Sequence, residues 1–235
     1  MIALLLLAFA LRSAQSDDKK NWPLVSDKDP LYLSCTVWTG KSWTAPTSRT
    51  AKTPIATSKT GFRAYGEVKV ELHGEDCENT TTLFVADGPN SEFKAFPVST
   101  KTDGNGIRLI GWSPNGKLLL LEANQWAYET DTGFVREPRI FNAEKSSILE
   151  LPELDKALIA HFGSECEFEH SVVRWRTDSE FSIKISRTPL DEGYEQHFCV
   201  KAPVFLVYDW EKKTVSSLPR PGLAGRNTAD KNSRD

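Results

Sequence analysis

The 235-residue sequence lacks the patterns that usually assign a chemistry to a chain. It contains no Cys-x-x-Cys pair, no His-Glu-x-x-His and no Gly-x-Ser-x-Gly, the patterns of zinc sites and serine nucleophiles. Residues 111–117 have the glycine and lysine spacing of a phosphate-binding loop, but Leu118 follows where Ser or Thr would bind magnesium. Lys and Arg number 29 against 32 Asp and Glu, so the basic excess of a nucleic-acid surface is missing. We therefore predict no catalytic residue, cofactor, metal site or nucleic-acid partner.

The longest apolar run lies at the N-terminus. Residues 2–11 are rich in Leu and Ala, and this run of about ten is shorter than the roughly 20 residues that a bilayer requires. Its length fits the apolar part of a signal peptide, and residues 14–16 supply the small residues of a cleavage site. No Lys or Arg precedes the run, so a short buried strand is the alternative. We expect a signal peptide over residues 1–16, a secreted or periplasmic protein and no stable membrane insertion.

Export changes how the four cysteines are interpreted. Cys35, Cys77, Cys166 and Cys199 are an even number, which in an oxidising compartment indicates two disulfides. Of the three possible pairings we favour Cys35–Cys77 and Cys166–Cys199, because each joins neighbouring parts of the chain. Each would contribute about 3–4 kcal/mol by the chain-entropy estimate. Four buried free thiols are the alternative if the chain is not exported.

Strand patterns dominate from residue 61 onward. The run over residues 67–72 alternates with period 2, and β-branched or apolar runs recur to residue 208. Residues 31–38 predict one earlier strand, and residues 39–60 a polar loop or linker. Only residues 146–162 could form a short helix, and we expect Pro152 to interrupt it. Residues 220–235 are polar and predict a disordered tail.

A repeated pattern divides the β region into units. An apolar strand ends in Asp87, Asn142 or Asp209, a polar turn follows, and an apolar residue followed by Pro stands about ten residues later. Asp or Asn at a strand end accepts hydrogen bonds from the backbone of its own turn. Trp112 and Trp175 lie at matching places upstream of the second and third segments, where we expect core packing. We predict three repeat units, at about 61–98, 104–153 and 166–219, in one β domain over residues 61–219.

The segment from Ile110 to Leu120 contains Trp-Ser-Pro-Asn-Gly-Lys at residues 112–117. It resembles the turn between two strands in blades of TolB-type, WD-repeat-like β-propellers, and residues 204–209 resemble a later strand of such a blade. The chain departs from that pattern because Asn115 replaces the usual Asp and only one unit carries the full motif. Three units also fall short of the four to eight blades of a closed propeller. The resemblance implies an all-β fold of about three four-stranded antiparallel meander units, an incomplete or irregular propeller that serves as a binding platform.

Two local features leave chemistry open. Glu167, Glu169 and His170 crowd beside Cys166, with Asp191, Glu192 and His197 nearby, which indicates either a divalent-cation site or a solvated, charged strand edge. Residues 79–81 form an Asn-x-Thr glycosylation sequon.

Three functions remain as hypotheses. The first is an exported, non-catalytic module whose β units bind a protein or a glycan. The second is an extracellular hydrolase or lyase acting on glycans with carboxylates on a blade face. The third is a chain that completes a propeller by pairing with copies of itself through exposed edges. A concave pocket with carboxyls of raised pKa would favour the enzyme, and a shallow aromatic surface would favour binding.

Overall fold

The computed structural model describes residues 30–37, 39, 41–74, 76–99, 104–126, 135–187 and 198–218. Within these ranges the chain forms three antiparallel sheets and one helix, which confirms the predicted all-β class. Sheet 1 contains β1 (Arg49–Lys52), β2 (Ala56–Thr57), β3 (Arg63–His73), β4 (Asp76–Ala86) and β5 (Lys94–Ser99). Sheet 2 contains β6 (Gly104–Trp112), β7 (Leu118–Trp126), β8 (Val135–Asn142) and β9 (Ser147–Glu150). After α1 (Pro152–Phe162), sheet 3 contains β10 (Glu169–Trp175), β11 (Glu180–Ser186), β12 (Val204–Asp209) and β13 (Thr214–Ser217).

Each sheet is a meander in which neighbours in sequence are neighbours in space. The order is β6-β7-β8-β9 in sheet 2 and β10-β11-β12-β13 in sheet 3. In sheet 1, β1 and β2 both pair with β3, so together they take the place of a first strand before β3, β4 and β5. Among the described residues no helix has both the length and the apolar character needed to cross a membrane.

Sheet 2 lies between the other two, and its central strand shows why. The side chains from Leu118 to Leu121 are all buried, although successive residues of a strand point to opposite faces. Leu119 and Leu121 join the core shared with sheet 1, whereas Leu118 and Leu120 join the core shared with sheet 3 and α1. A strand that is buried on both faces gives a continuous apolar run instead of an alternating one. Sheets 1 and 3 each keep one face that points away from sheet 2.

The structure differs from the sequence expectations in three places. Residues 30–37 are not in a strand but cross β6. The crossing is close, because Gly106 lacks the Cβ that would collide with the backbone of Leu31. The N–H of Ile107 donates a hydrogen bond to Pro30 O at 3.0 Å. Two strands, β1 and β2, lie within the predicted loop of residues 39–60, because polar and Thr-rich strands carry a weak apolar signal. Pro152 begins α1 and does not interrupt it, since Pro at the first helical position sacrifices no helical hydrogen bond.

Both disulfides join the cysteines whose pairing the sequence favoured. Cys35–Cys77 attaches the N-terminal segment to β4, with a Cα separation of 6.1 Å. Cys166–Cys199 joins the connection after α1 to the segment before β12, with a Cα separation of 4.9 Å. Two disulfides are typical of proteins in oxidising compartments.

Candidate functional site

The three turn residues occupy corresponding positions. Asp87 directly follows β4, and Asn142 and Asp209 end β8 and β12, each before the hairpin that leads to the last strand of its sheet. Asn142 Oδ1 accepts a hydrogen bond from the backbone N–H of Lys145, and Asp209 Oδ1 accepts one from the N–H of Lys212, both at 3.0 Å. A hydrogen bond from Ser91 lowers the pKa of Asp87. These side chains stabilise turns and are not grouped into a site.

Trp112 and Trp175 connect neighbouring sheets. Trp112 Nε1 donates to Ala56 O in sheet 1 at 3.1 Å, and Trp175 Nε1 donates to Gly111 O in sheet 2 at 2.9 Å. Each indole also packs against an aromatic ring, Phe62 for Trp112 and Phe181 for Trp175, with centroids 5.8 Å apart. Both tryptophans are therefore structural residues at the junctions between sheets.

A buried ion pair lies between sheets 2 and 3. Glu122 is fully buried on β7, where its Oε2 accepts a hydrogen bond from Arg108 Nη2 at 2.6 Å. Its Oε1 accepts one from the backbone N–H of Val172 in sheet 3 at 3.1 Å. Because a buried carboxylate needs both charge and hydrogen-bond partners, we interpret Glu122 as a structural link between the two sheets.

His170 lies beside this ion pair and is almost buried. Burial lowers its pKa, although the nearby carboxylates of Asp155 and Glu122 oppose that effect. Its Nδ1 lies 3.9 Å from Asp155 Oδ1, and its Nε2 is buried with no hydrogen-bond partner among the described residues. Burial raises the pKa of Glu169, an effect that Arg136 opposes. The described residues form no group of three or more metal-ligating side chains; Cys166 is in a disulfide, and Asp191, Glu192 and His197 lie outside the described ranges.

A cleft of about 500 Å³ opens between β5, β8, β9 and the start of α1. Its charged lining residues are Arg136, Arg139, Glu137, Glu150 and Asp155. Arg139 is almost buried; its Nη1 donates to Val98 O at 2.5 Å and its Nη2 to Glu137 Oε2 at 2.6 Å. Glu150 and Asp155 are largely exposed, so the entrance of this cleft, which we call the acidic cleft, is negatively charged. Glu169 is not among its lining residues.

A cluster of aromatic side chains lies on the open face of sheet 1. Tyr65 and Phe84 alternate along their strands with residues of the core shared with sheet 2, so they point away from it. Their rings stack with centroids 4.8 Å apart, and Phe93 meets Tyr65 edge-on at 4.9 Å. Lys52 Nζ lies 5.2 Å from the centroid of the Tyr65 ring, and the Arg63 guanidinium lies 5.0 Å from that of Phe93. We call these five residues the aromatic face.

Sequence reasoning missed the aromatic face. Tyr65, Glu67 and Lys69 are the outward half of the alternation in β3, and that half was visible in the sequence. What the sequence did not show was the partner strand in register, which places Phe84 directly opposite Tyr65.

The glycosylation sequon is not accessible in this fold. Asn79 is fully buried, and its Nδ2 donates to Leu33 O at 2.9 Å and to Asn105 O at 2.8 Å. A glycan would have to replace one of these hydrogen atoms, so the folded structure and modification of Asn79 exclude each other.

Comparison of the chain with protein-family models and with curated proteins found no match.

Proposed function

We propose that this chain is an exported, non-catalytic module that binds a protein partner through the aromatic face of sheet 1. The observation that carries the proposal is the stacked Tyr65–Phe84 pair on a sheet face that no other described element covers. Aromatic residues and Arg, both present in the aromatic face, are enriched at the centres of protein interfaces.

The arrangement of the rings favours a protein over a glycan. β1 and β4 flank β3 on opposite sides, so Lys52 and Phe84 cover the two faces of Tyr65. A sugar that stacks on an aromatic residue needs an open ring face, whereas both faces of the Tyr65 ring are covered. Ion pairs such as Lys52–Glu67, at 2.9 Å, border the rings and offer charges to a complementary protein surface.

The hydrolase hypothesis has less support from the same residues. Glu137 in the acidic cleft is hydrogen-bonded to Arg139, and Glu169, whose pKa is raised by burial, lies outside the cleft lining. A general acid with a raised pKa would be expected in the cleft itself.

The proposal is tested by photo-crosslinking in the organism that produces the protein. A benzophenone amino acid replaces Thr80, which is exposed on the same face, or Phe205, which is 47% exposed on the open face of sheet 3. We expect a discrete protein adduct from position 80 only, and its loss when Tyr65→Ser is added. Equal labelling from both positions, or binding to a glycan array that survives Tyr65→Ser, would overturn the proposal.

A further inference from the structure

A groove runs between sheets 1 and 2 along the side of their last strands, β5 and β9. Lys94, Phe96 and Val98 are alternate residues of β5 and line it from sheet 1, and Phe141 and Arg139 line it from β8. Phe96 and Phe141 meet edge-to-face across the groove, with centroids 4.8 Å apart. We call this groove the outer seam.

Two cavities of different chemistry lie on the outer seam. One is the acidic cleft, beside Val98 and Arg139. The other has a volume of about 200 Å³ and is lined by Phe62, Val85, Phe96, Phe141 and Ala143, with Asp87, Lys94 and Ser146 as its polar residues. Because a cavity of about 150 Å³ can hold benzene, this apolar cavity is large enough for one aromatic or large aliphatic side chain.

Charge in the acidic cleft favours a cationic group. Arg139 binds Val98 O and Glu137, whereas Arg136 Nη2 donates to the neutral hydroxyl of Tyr32 at 2.8 Å and keeps its charge. The three lining carboxylates therefore exceed the two lining cations by one. Glu150 Oε1 has only a distant contact with Arg139, at 3.6 Å, and its side chain is 73% exposed. A Lys or Arg side chain that enters the cleft beside Glu150 and Asp155 would therefore meet this excess of carboxylate charge.

The floor of the cleft also supplies a hydrogen-bond donor. Arg139 Nε is buried and has no hydrogen-bond partner among the described residues, although the side chain lines the cleft and is only 8% exposed. A buried N–H group without a partner costs free energy, which a carbonyl oxygen of a bound main chain would recover. This observation is independent of the carboxylates at the entrance.

We propose that the outer seam binds an extended segment of a protein partner, with an apolar side chain in the Phe-lined cavity and a Lys or Arg side chain in the acidic cleft. A bulge interrupts β5, so Lys94 and Ser99, which line the two cavities, lie opposite Val85 and Thr81 of β4. Those two residues are four apart, or about 13 Å in a strand, so the two ligand side chains are also four residues apart. At that spacing both point to the same side of an extended chain. The inference rests on the proposed protein-binding function but uses a different surface.

The test uses two fluorescent peptides and the full chain. Phe-Ser-Thr-Ser-Arg carries both groups, and Phe-Ser-Thr-Ser-Glu carries the opposite charge at its last position. Measured by fluorescence anisotropy, the wild-type protein is expected to bind the Arg peptide at least tenfold more tightly. Glu150→Lys is expected to reverse that preference, and Ala143→Leu, which fills the apolar cavity, to weaken both peptides.

Glu211→Lys is the matched control, because it changes charge equally at an exposed turn of sheet 3 and should leave peptide binding unchanged. Circular dichroism verifies that each variant is folded. The inference is overturned if wild-type protein binds neither peptide, binds both equally, or keeps its preference in Glu150→Lys. Crosslinking from Thr80 distinguishes the two proposals: if it persists while the peptides fail, the outer seam is wrong and the aromatic face stands. If the peptides bind as expected but the crosslink from position 80 is absent, the aromatic face is wrong and the outer seam stands.

Discussion

Breaking the buried ion pair between sheets 2 and 3 should lower the free energy of unfolding by an amount that follows from the burial of Glu122. Two of the ion pairs with a separation of 2.6 Å differ in burial: Arg108–Glu122, whose carboxylate is fully buried, and Lys117–Glu144, whose partners are 46% and 58% exposed. Glu122→Ala removes the partner of Arg108 and also leaves the N–H of Val172 without its acceptor. Breaking a buried pair costs about 3–5 kcal/mol. Because Arg108 is 43% exposed and can be rehydrated, we expect the lower end, about 3 kcal/mol.

Urea unfolding followed by tryptophan fluorescence, with both disulfides intact, measures this loss. Glu122→Gln keeps an acceptor for the Val172 N–H and removes only the charge, so its loss should lie between wild type and Glu122→Ala. Glu144→Ala is the control, and because surface pairs contribute little, its effect should be too small to resolve. Equal losses for Glu122→Ala and Glu144→Ala would refute the assignment of Glu122 as an inter-sheet link.

Three further predictions test other contacts. Trp175→Phe keeps the ring contact but removes the hydrogen bond to Gly111 O, so urea unfolding should show a loss of about 1 kcal/mol. The unfolded chain protonates His170 near its ordinary pKa of about 6.5 while the fold lowers that pKa, so stability should decrease as pH falls below about 6.5. His170→Asn should remove that part of the pH dependence, and unchanged curves would contradict it. Mass spectrometry of the mature protein should find Asn79 unmodified, whereas a glycan there would contradict the buried hydrogen bonds.

The sequence predicted those parts of the fold that depend on local patterns. The alternation in β3 and the turn at residues 113–117 identified strands and hairpins, because period and turn chemistry are properties of adjacent residues. The strand pair β1 and β2 was missed, because its polar residues become strand-forming only when β3 supplies hydrogen-bond partners. Pro152 was treated as an interruption, because the choice between the start and the interior of a helix depends on where the preceding strand ends.

The candidate sites were less predictable, because they depend on contacts between residues distant in sequence. Glu122 and Val172 are 50 residues apart, and Tyr65 and Phe84 meet only because β3 and β4 pair in one register. The four cysteines were the exception, since their number and spacing favoured the two disulfides that the structure contains. Sequence motifs here indicate turns and junctions, whereas the aromatic face arises from strand pairing and the outer seam from the stacking of two sheets.

The two open faces bear on whether the chain completes a propeller with copies of itself. At each junction in the described chain, a tryptophan at the end of a first strand donates to the preceding sheet, as Trp112 and Trp175 do. The corresponding strand of sheet 1 ends in Thr57, which has no indole N–H for a sheet of another copy. The open face of sheet 1 also carries Lys69 and Glu71 as an exposed ion pair at 2.6 Å, whereas the faces that pack between sheets are mainly apolar. We therefore expect a monomer in sedimentation equilibrium at micromolar concentration. A dimer that dissociates on Tyr65→Ser would instead assign the aromatic face to contact between copies.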